Sequence, residues 1–251
     1  MTTGISGRTV IVTGATGGIG SAVCHRLARD GAQVAAIDLD QSRLDDLLEK
    51  LSGSGHSAHA VNLADLGQQD AAMADIAASV VDLAGMVHLA AVLRRRMSID
   101  DITEDDWDYQ IDTNLKAAFF VDRSVARLLI AQGTGGSIVN FTSQGWWTGG
   151  FGGSVAYAAS KGGIVSMCRG LARTLAPHNI RVNTLAPGFV DTSMMRGGLT
   201  DEQLQASIDQ VPLGRMATPE EVADTAAFLI GPDARYVTGA TLNVTGGQLM
   251  Y

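Results

Sequence analysis

The sequence predicts an α/β protein built on a doubly wound parallel sheet of about seven strands with helices on both faces. Three observations carry that expectation. Short apolar runs alternate with longer segments of helical periodicity along the whole chain. The 30 glycines, well above the usual share of about 7%, fall mostly between those segments, where tight turns need them. The first apolar run leads directly into a glycine-rich turn and an amphipathic helix, the opening of a βαβ unit.

The composition narrows the classes. A chain of 251 residues with 46% hydrophobic and 18% charged residues suits one globular domain spanning 1–251. The net charge of −8 argues against nucleic acid and anionic membrane as partners. No apolar run reaches the roughly 18 residues of a membrane span, and no basic, apolar leader opens the chain, so a cytoplasmic protein is expected. Cys24 and Cys168 sit in helix-like segments without metal-ligand spacing, so both are expected as buried thiols in a reducing compartment, and no metal is expected.

In chain order, residues 8–13 form a buried strand by length and β-branching, followed by the turn Thr13-Gly-Ala-Thr-Gly-Gly-Ile-Gly20 and a helix over 18–29. Backbone N–H groups at such a turn point at a phosphate, and Gly14, Gly18 and Gly20 allow close approach. A plain connector can also be glycine-rich; the strand before and helix after favour the anion site. Residues 33–37 form the next strand, ending at Asp38. That carboxylate lies where it would meet the ribose hydroxyls of NAD, although a turn residue or helix cap reads the same. Residue 17 is glycine and residue 39 leucine, which offers no nearby cation to a 2′-phosphate and favours NAD over NADP.

Further strands are expected at 57–61, 85–89, 136–141, from Ile180 onward and at 241–244, and helices at 65–81, 104–132, 156–178 and 219–230, with a short one near 201–210. Arg94-Arg95-Arg96 reads as a solvated face, the other readings being an anionic substrate or a partner surface. Thr142 and Ser143 fall at a strand's carboxyl end, the ligand edge of an open parallel sheet. Trp146, Trp147 and the glycines of 149–153 read as packing beside a mobile rim, and 192–215 as a substrate lid.

The chemistry is expected at Tyr157-Ala-Ala-Ser-Lys161. Residues four apart share a helix face, so the phenol and the ammonium point the same way. A nearby ammonium favours the phenolate and draws the phenol's pKa down from about 10, which suits proton exchange with an alcohol oxygen. With four tyrosines in the chain, chance spacing alone gives such a pair about one time in twenty.

Together these residues resemble the short-chain dehydrogenase/reductase family over essentially the whole chain, which implies a Rossmann-type fold and a nicotinamide cofactor. The family's glycine motif falls on Thr13, Gly14, Gly18 and Gly20, its NAD-selecting acid on Asp38 and its adenine-side residues on Asn62 and Leu63. Its catalytic asparagine, serine, tyrosine and lysine fall on Asn114, Ser143, Tyr157 and Lys161. Pro187-Gly188 falls where the nicotinamide lies, with Val190 and Thr192 at its carboxamide; Thr16, Ile19, Leu39 and Ala90 complete the implied cofactor contacts. Where the family's fourth strand usually ends Asn-Asn-Ala-Gly, this chain reads His88-Leu89-Ala90-Ala91, and His88 could replace the lost polar hook.

The resemblance implies hydride transfer between NAD(H) and a secondary alcohol or ketone, in a homotetramer. The substrate is expected against Ser143, Trp147, Tyr157 and Met194, with Trp146, Phe151 and Met195 adding an apolar wall that suits a cyclic or hydrophobic body. Ile164, Val165, Leu171, Leu115, Phe119 and Phe120 are expected to supply subunit contacts. The alternatives are a 3-oxoacyl-[acyl-carrier-protein] reductase, which usually uses NADPH, and a non-catalytic NAD-binding sensor.

Overall fold

The computed structural model describes residues 4–150, 153–197 and 200–250. Phe151, expected on the pocket wall, lies outside the described residues. The strands are β1 Thr9–Thr13, β2 Gln33–Asp38, β3 Ser57–Ala60, β4 Leu83–His88, β5 Gly136–Phe141, β6 Ile180–Pro187 and β7 Thr241–Val244. They form one seven-stranded sheet in the order β3-β2-β1-β4-β5-β6-β7, parallel at every pairing. The order reverses between β1 and β4, which opens a crevice at the carboxyl ends of those strands.

The helices are α1 Gly18–Arg29, α2 Gln41–Leu48, α3 Leu66–Ser79, α4 Glu104–Ile111, α5 Ala117–Gln132, α6 Gly145–Thr148, α7 Val155–Leu175, α8 Ser193–Arg196, α9 Asp201–Ile208 and α10 Pro219–Ile230. Alternation along the strands feeds two cores. Val10, Val12 and Val139 pack on one face with Leu27 of α1, Leu44 of α2 and Ala226 of α10. Ile11, Met86 and Ile138 pack on the other with Ile76 of α3, Val121 of α5 and Ile164 of α7. Because both faces are covered, β1 and β4 are buried along their whole length and read as unbroken apolar runs.

Local chemistry starts the helices where the sequence provides it. Asp65 accepts from the N–H groups of Gly67 and Gln68 to open α3. Thr103 with Asp106, and Thr218 with Glu221, form capping boxes at α4 and α10. Asp40 accepts from Ser42 and Arg43 to open α2, so the cap in this stretch is Asp40 rather than Asp38.

Four departures from the expected elements have local causes. The helix expected over 104–132 is broken by a π turn at Asp112–Lys116, which swings Asn114 into the interior. The helix expected to reach 178 stops at Leu175, and Ala176–His178 is a 3₁₀ turn, because Pro177 has no N–H to donate. The rim around Trp146 and Trp147 is helical as α6, and the Gly153 carbonyl accepts from Arg96 N–H at 2.9 Å. Ile164 and Val165, expected at a subunit contact, are buried in this chain's own interior. Cys24 and Cys168 are buried free thiols, and among the described residues no helix is long and apolar enough to cross a membrane.

Candidate active site

The crevice begins at the glycine turn between β1 and α1. Gly14 has φ +65°, and a Cβ on Gly20 would stand 2.0 Å from the Gly14 carbonyl oxygen, so only glycine lets this turn close on its helix. Asp38, at the end of β2, reaches back over the turn. Its Oδ2 accepts from Thr16 N–H at 2.8 Å and from Thr16 Oγ1 at 2.7 Å, and its Oδ1 accepts from Leu39 N–H at 2.8 Å. The sequence reading found no cation nearby, but Arg43, from the first turn of α2, donates to the Thr16 carbonyl at 2.8 Å. A helix brings it there from 27 residues along the chain, which adjacency in sequence cannot reveal.

The β4 edge carries the chain's departure from the family pattern. His88 Nδ1 lies 2.8 Å from Thr13 Oγ1, its register partner on β1. The same oxygen accepts from Leu89 and Ala90 N–H groups at 3.2 Å each. With two donors already aimed at that oxygen, the Thr13 hydroxyl donates to Nδ1 and the imidazole carries its proton on Nε2. Burial and the neighbouring Lys161 charge push the His88 pKa down to about 3, which keeps the ring neutral. His88 is therefore the hook between strands.

The β5 edge and α7 bring the other site residues together. Tyr157 lies in the first turn of α7, and Lys161 one turn later. The ammonium is 2% exposed and donates to the Phe141 carbonyl at 2.8 Å, while Thr142 Oγ1 donates to the Lys161 carbonyl at 2.8 Å. Ser143 and Tyr157 line the same cavity, and Ser143 Oγ accepts from Gly145 N–H at 3.2 Å. Burial pushes Lys161 down to about 7 and Tyr157 up to about 12; the Ser143 hydrogen bond and the Arg95 charge pull the phenol the other way. This corrects the expectation that Lys161 draws the phenol down. Its Nζ is 5.6 Å from the phenol ring centroid and engaged by Phe141, so desolvation outweighs it.

Asn114 works from behind α7. Its Oδ1 accepts from Val92 N–H at 2.8 Å, and its Nδ2 donates to the Val92 carbonyl at 2.9 Å and to Ser160 Oγ at 3.1 Å. The amide thus clamps the segment after β4 to the catalytic-face helix, and it is not part of the cavity wall.

A cavity of about 530 Å³ joins these parts. Gly14, Gly18, Ile19 and Gly20 line one end, Ser143, Tyr157 and Lys161 the middle, and Pro187, Gly188, Val190 and Thr192 the facing side. Met194 lines it, whereas Trp147 is 58% exposed outside it, because α6 points that ring to solvent. Thr16, Asp38, Leu39, Asn62, Leu63 and Ala90 are also outside the wall. Leu63 is buried in the core, and Asn62 Oδ1 accepts from Ala64 N–H at 3.1 Å. Sequence reasoning puts the walls on 91–96, 144–151 and 189–195, and Leu93 and Phe189 do line the cavity; it missed the α9 residues Gln203, Ala206 and Ser207, which reach it through the fold alone. Gln144, which opens the second of those segments, is 4% exposed with an unpartnered Oε1 and lies in the strand-end polar run that identified Ser143.

A family model described as Enoyl-(Acyl carrier protein) reductase matches residues 14–248. Human (3R)-3-hydroxyacyl-CoA dehydrogenase is 36% identical over 249 residues, covering 96% of this chain and 95% of its own. The 3-oxoacyl-[acyl-carrier-protein] reductase FabG of Thermotoga maritima is 34% identical, covering 98% and 99%. A structure assigned as a short-chain alcohol dehydrogenase of Sinorhizobium meliloti 1021 superposes with a TM-score of 0.92 at 34% identity, covering 99% and 98%. The chain belongs to the short-chain dehydrogenase/reductase family. It is an oxidoreductase, and the family binds a nicotinamide cofactor.

The residues present fit such a cofactor. A Cβ on Gly18 would stand 2.9 Å from Thr192 Cγ2, so glycine keeps open the gap between the α1 N-terminus and the segment after β6. That N-terminus offers backbone N–H groups to a pyrophosphate. Among the described residues no cluster of His, Cys, Asp or Glu could hold a metal ion.

Burial of Lys161 leaves a signature in stability. An unfolded lysine keeps its proton up to its ordinary value of 10.5, whereas the folded group loses it near 7. Between those values the unfolded chain binds more protons, so this contribution to stability rises with pH, and below pH 7 the full cost of the buried charge remains. Lys161→Met should therefore melt at higher temperature than the parent at pH 6, with the advantage shrinking by pH 9. Thermal melts of both cofactor-free proteins across that range test it, and a pH-independent difference would contradict the assignment.

Proposed function

We propose that this protein is an NAD-dependent dehydrogenase/reductase acting between a secondary alcohol and a ketone with a cyclic or hydrophobic body. The observation that carries the reading is the meeting of Ser143, Tyr157 and Lys161 on one cavity wall, with Lys161 one helical turn on from Tyr157. NAD, when bound, accepts or returns the hydride. Ser143 holds the reacting oxygen, and Tyr157 passes its proton at the phenol oxygen. Lys161 would hold the nicotinamide ribose and, from one turn along the helix, would stabilise the phenolate against the desolvation that raises Tyr157. Asn114 acts as a positioning residue through Val92 and Ser160. Residues 192–215, which contain α8 and α9, form the lid of a single domain spanning 1–251.

A second reading, reduction of a 3-oxoacyl thioester, is favoured by the names of the human and Thermotoga maritima relatives. The two readings separate on a panel of secondary alcohols, ketones and 3-oxoacyl thioesters followed by nicotinamide absorbance. Neutral cyclic alcohols should surpass polyols, and Tyr157→Phe should lower kcat at least about 10³-fold while NADH affinity stays within a few-fold. Turnover near the parent value in that variant would remove Tyr157 from the mechanism.

Cofactor choice rests on Asp38, whose carboxylate accepts from ribose hydroxyls and repels a 2′-phosphate. The parent should favour NAD(H) over NADP(H) in kcat/KM, and Asp38→Ala should narrow the gap by removing the carboxylate that repels the phosphate. A parent preference for NADPH would overturn this and strengthen the acyl-thioester reading.

The assembly we infer is a homotetramer. Trp107 and Tyr109 on α4, Phe119 on α5 and Val155 on α7 leave large apolar surface exposed. A monomer by light scattering at micromolar concentration would refute it.

A further inference from the structure

Residues 94–96 are three successive arginines, and the fold uses them differently. Arg94 donates to Asp105 at 2.7 Å and lies 3.8 Å over the Tyr109 ring. Arg96 grips Asp106 with two nitrogens, at 2.7 and 2.8 Å. Both charges are thus answered by α4. Arg95, between them, lines the cavity that Ser143, Tyr157 and Lys161 share.

Among the described residues no carboxylate answers Arg95. Its Nε is buried and has no hydrogen-bond partner, and it makes no ion pair among the described residues. Among the described residues the wall contains no aspartate or glutamate. The other cation there, Lys161, is already engaged by the Phe141 carbonyl. A buried donor without an acceptor costs free energy, and a guanidinium costs more than a neutral amide. A ligand bringing a planar, two-oxygen anion removes that cost, because the guanidinium fork matches a carboxylate in geometry as well as charge.

We propose that Arg95 is the receptor for a carboxylate on the substrate, so that this enzyme acts on a hydroxy acid or oxo acid whose acid group lies a few bonds from the reacting carbon. The inference rests on the reading that the reacting oxygen sits between Ser143 and Tyr157. It adds to that reading the one charged feature the substrate must carry. Arg95 lines the same cavity as Ser143 and Tyr157, so the anion site and the reacting oxygen share one enclosed space. Leu93, Phe189, Met194 and Met195 line the cavity and hold the carbon body. The acid is thus bound at one point and the remainder by apolar contact.

The test uses 2-oxobutanoate, acetoacetate and 4-oxopentanoate, each beside its methyl ester, with NADH and the full-length enzyme. At least one acid should exceed its ester about 30-fold or more in kcat/KM, and the best of the three reports how many bonds separate the two groups. Arg95→Gln should collapse that acid-to-ester ratio toward unity, and Arg95→Lys should retain part of it. The ratio cancels any loss shared by both substrates, such as a shift in the Tyr157 titration. Thermal shift of the NADH-saturated protein gives an arm without turnover: acids should stabilise the parent more than esters do, and Arg95→Gln should lose the difference. Esters that equal their acids in both arms, or a ratio unchanged in Arg95→Gln, would overturn the assignment. Absence of turnover with every acid and ester would instead count against the hydride-transfer reading, and the thermal-shift arm would still decide Arg95.

Discussion

The buried ammonium of Lys161 is the constraint around which the carboxyl edge of the sheet is arranged. It donates to the Phe141 carbonyl, and among the described residues no carboxylate pairs with it. A cation so placed must be held by neutral groups, and its neighbours comply. His88 is kept as the uncharged imidazole, Thr142 fixes the backbone of Lys161 itself, and Asn114 reaches the same helix through Ser160. The strain of that burial is what gives the group chemical use, since an ammonium desolvated to a pKa of about 7 gains most from any ligand that hydrogen-bonds it.

Much of the scaffold was legible because parallel strands buried on both faces leave short, mostly apolar runs, as at β1. The glycine turn, Ser143, Tyr157 and Lys161 were legible because each depends on local spacing next to a strand or within one helix. The unreadable parts depend on separation in sequence. Arg43 reaches Thr16 only because α2 folds beside the turn, and α9 reaches the cavity only through the return of the chain after β6. Trp147 was misassigned because its neighbourhood in sequence is the site, while the four-residue helix that carries it turns the ring outward. The π turn at 112–116 left no periodic signature, since one added residue in a long amphipathic stretch barely changes the pattern.

The β4 edge shows how a departure from the family pattern is absorbed. Leu89 offers no side-chain hook, yet its N–H still reaches Thr13 Oγ1. The remaining polar contact passes to His88, one strand register inward, through the same threonine hydroxyl. Next to it Asn140 donates to Asp122 at 2.8 Å and to Cys168 at 3.3 Å, and burial pushes Asp122 up to about 8, so this carboxyl is protonated at neutral pH. The polar layer beneath the site is consequently uncharged apart from Lys161, which leaves the field at the cavity to that residue and Arg95.

The strand order also governs when during folding this site comes into being. The glycine turn, α1 and β2 are contiguous, so the first wall of the cleft is a local product. The pairing of β1 with β4, by contrast, closes a loop whose ends, Thr13 and His88, are 75 residues apart. The third wall carries Pro187 on β6, whose partner strand β5 lies on the far side of α7 in sequence. Loop-closure entropy is spent before those distant pairings return any free energy, so the chemistry is assembled from late-forming contacts.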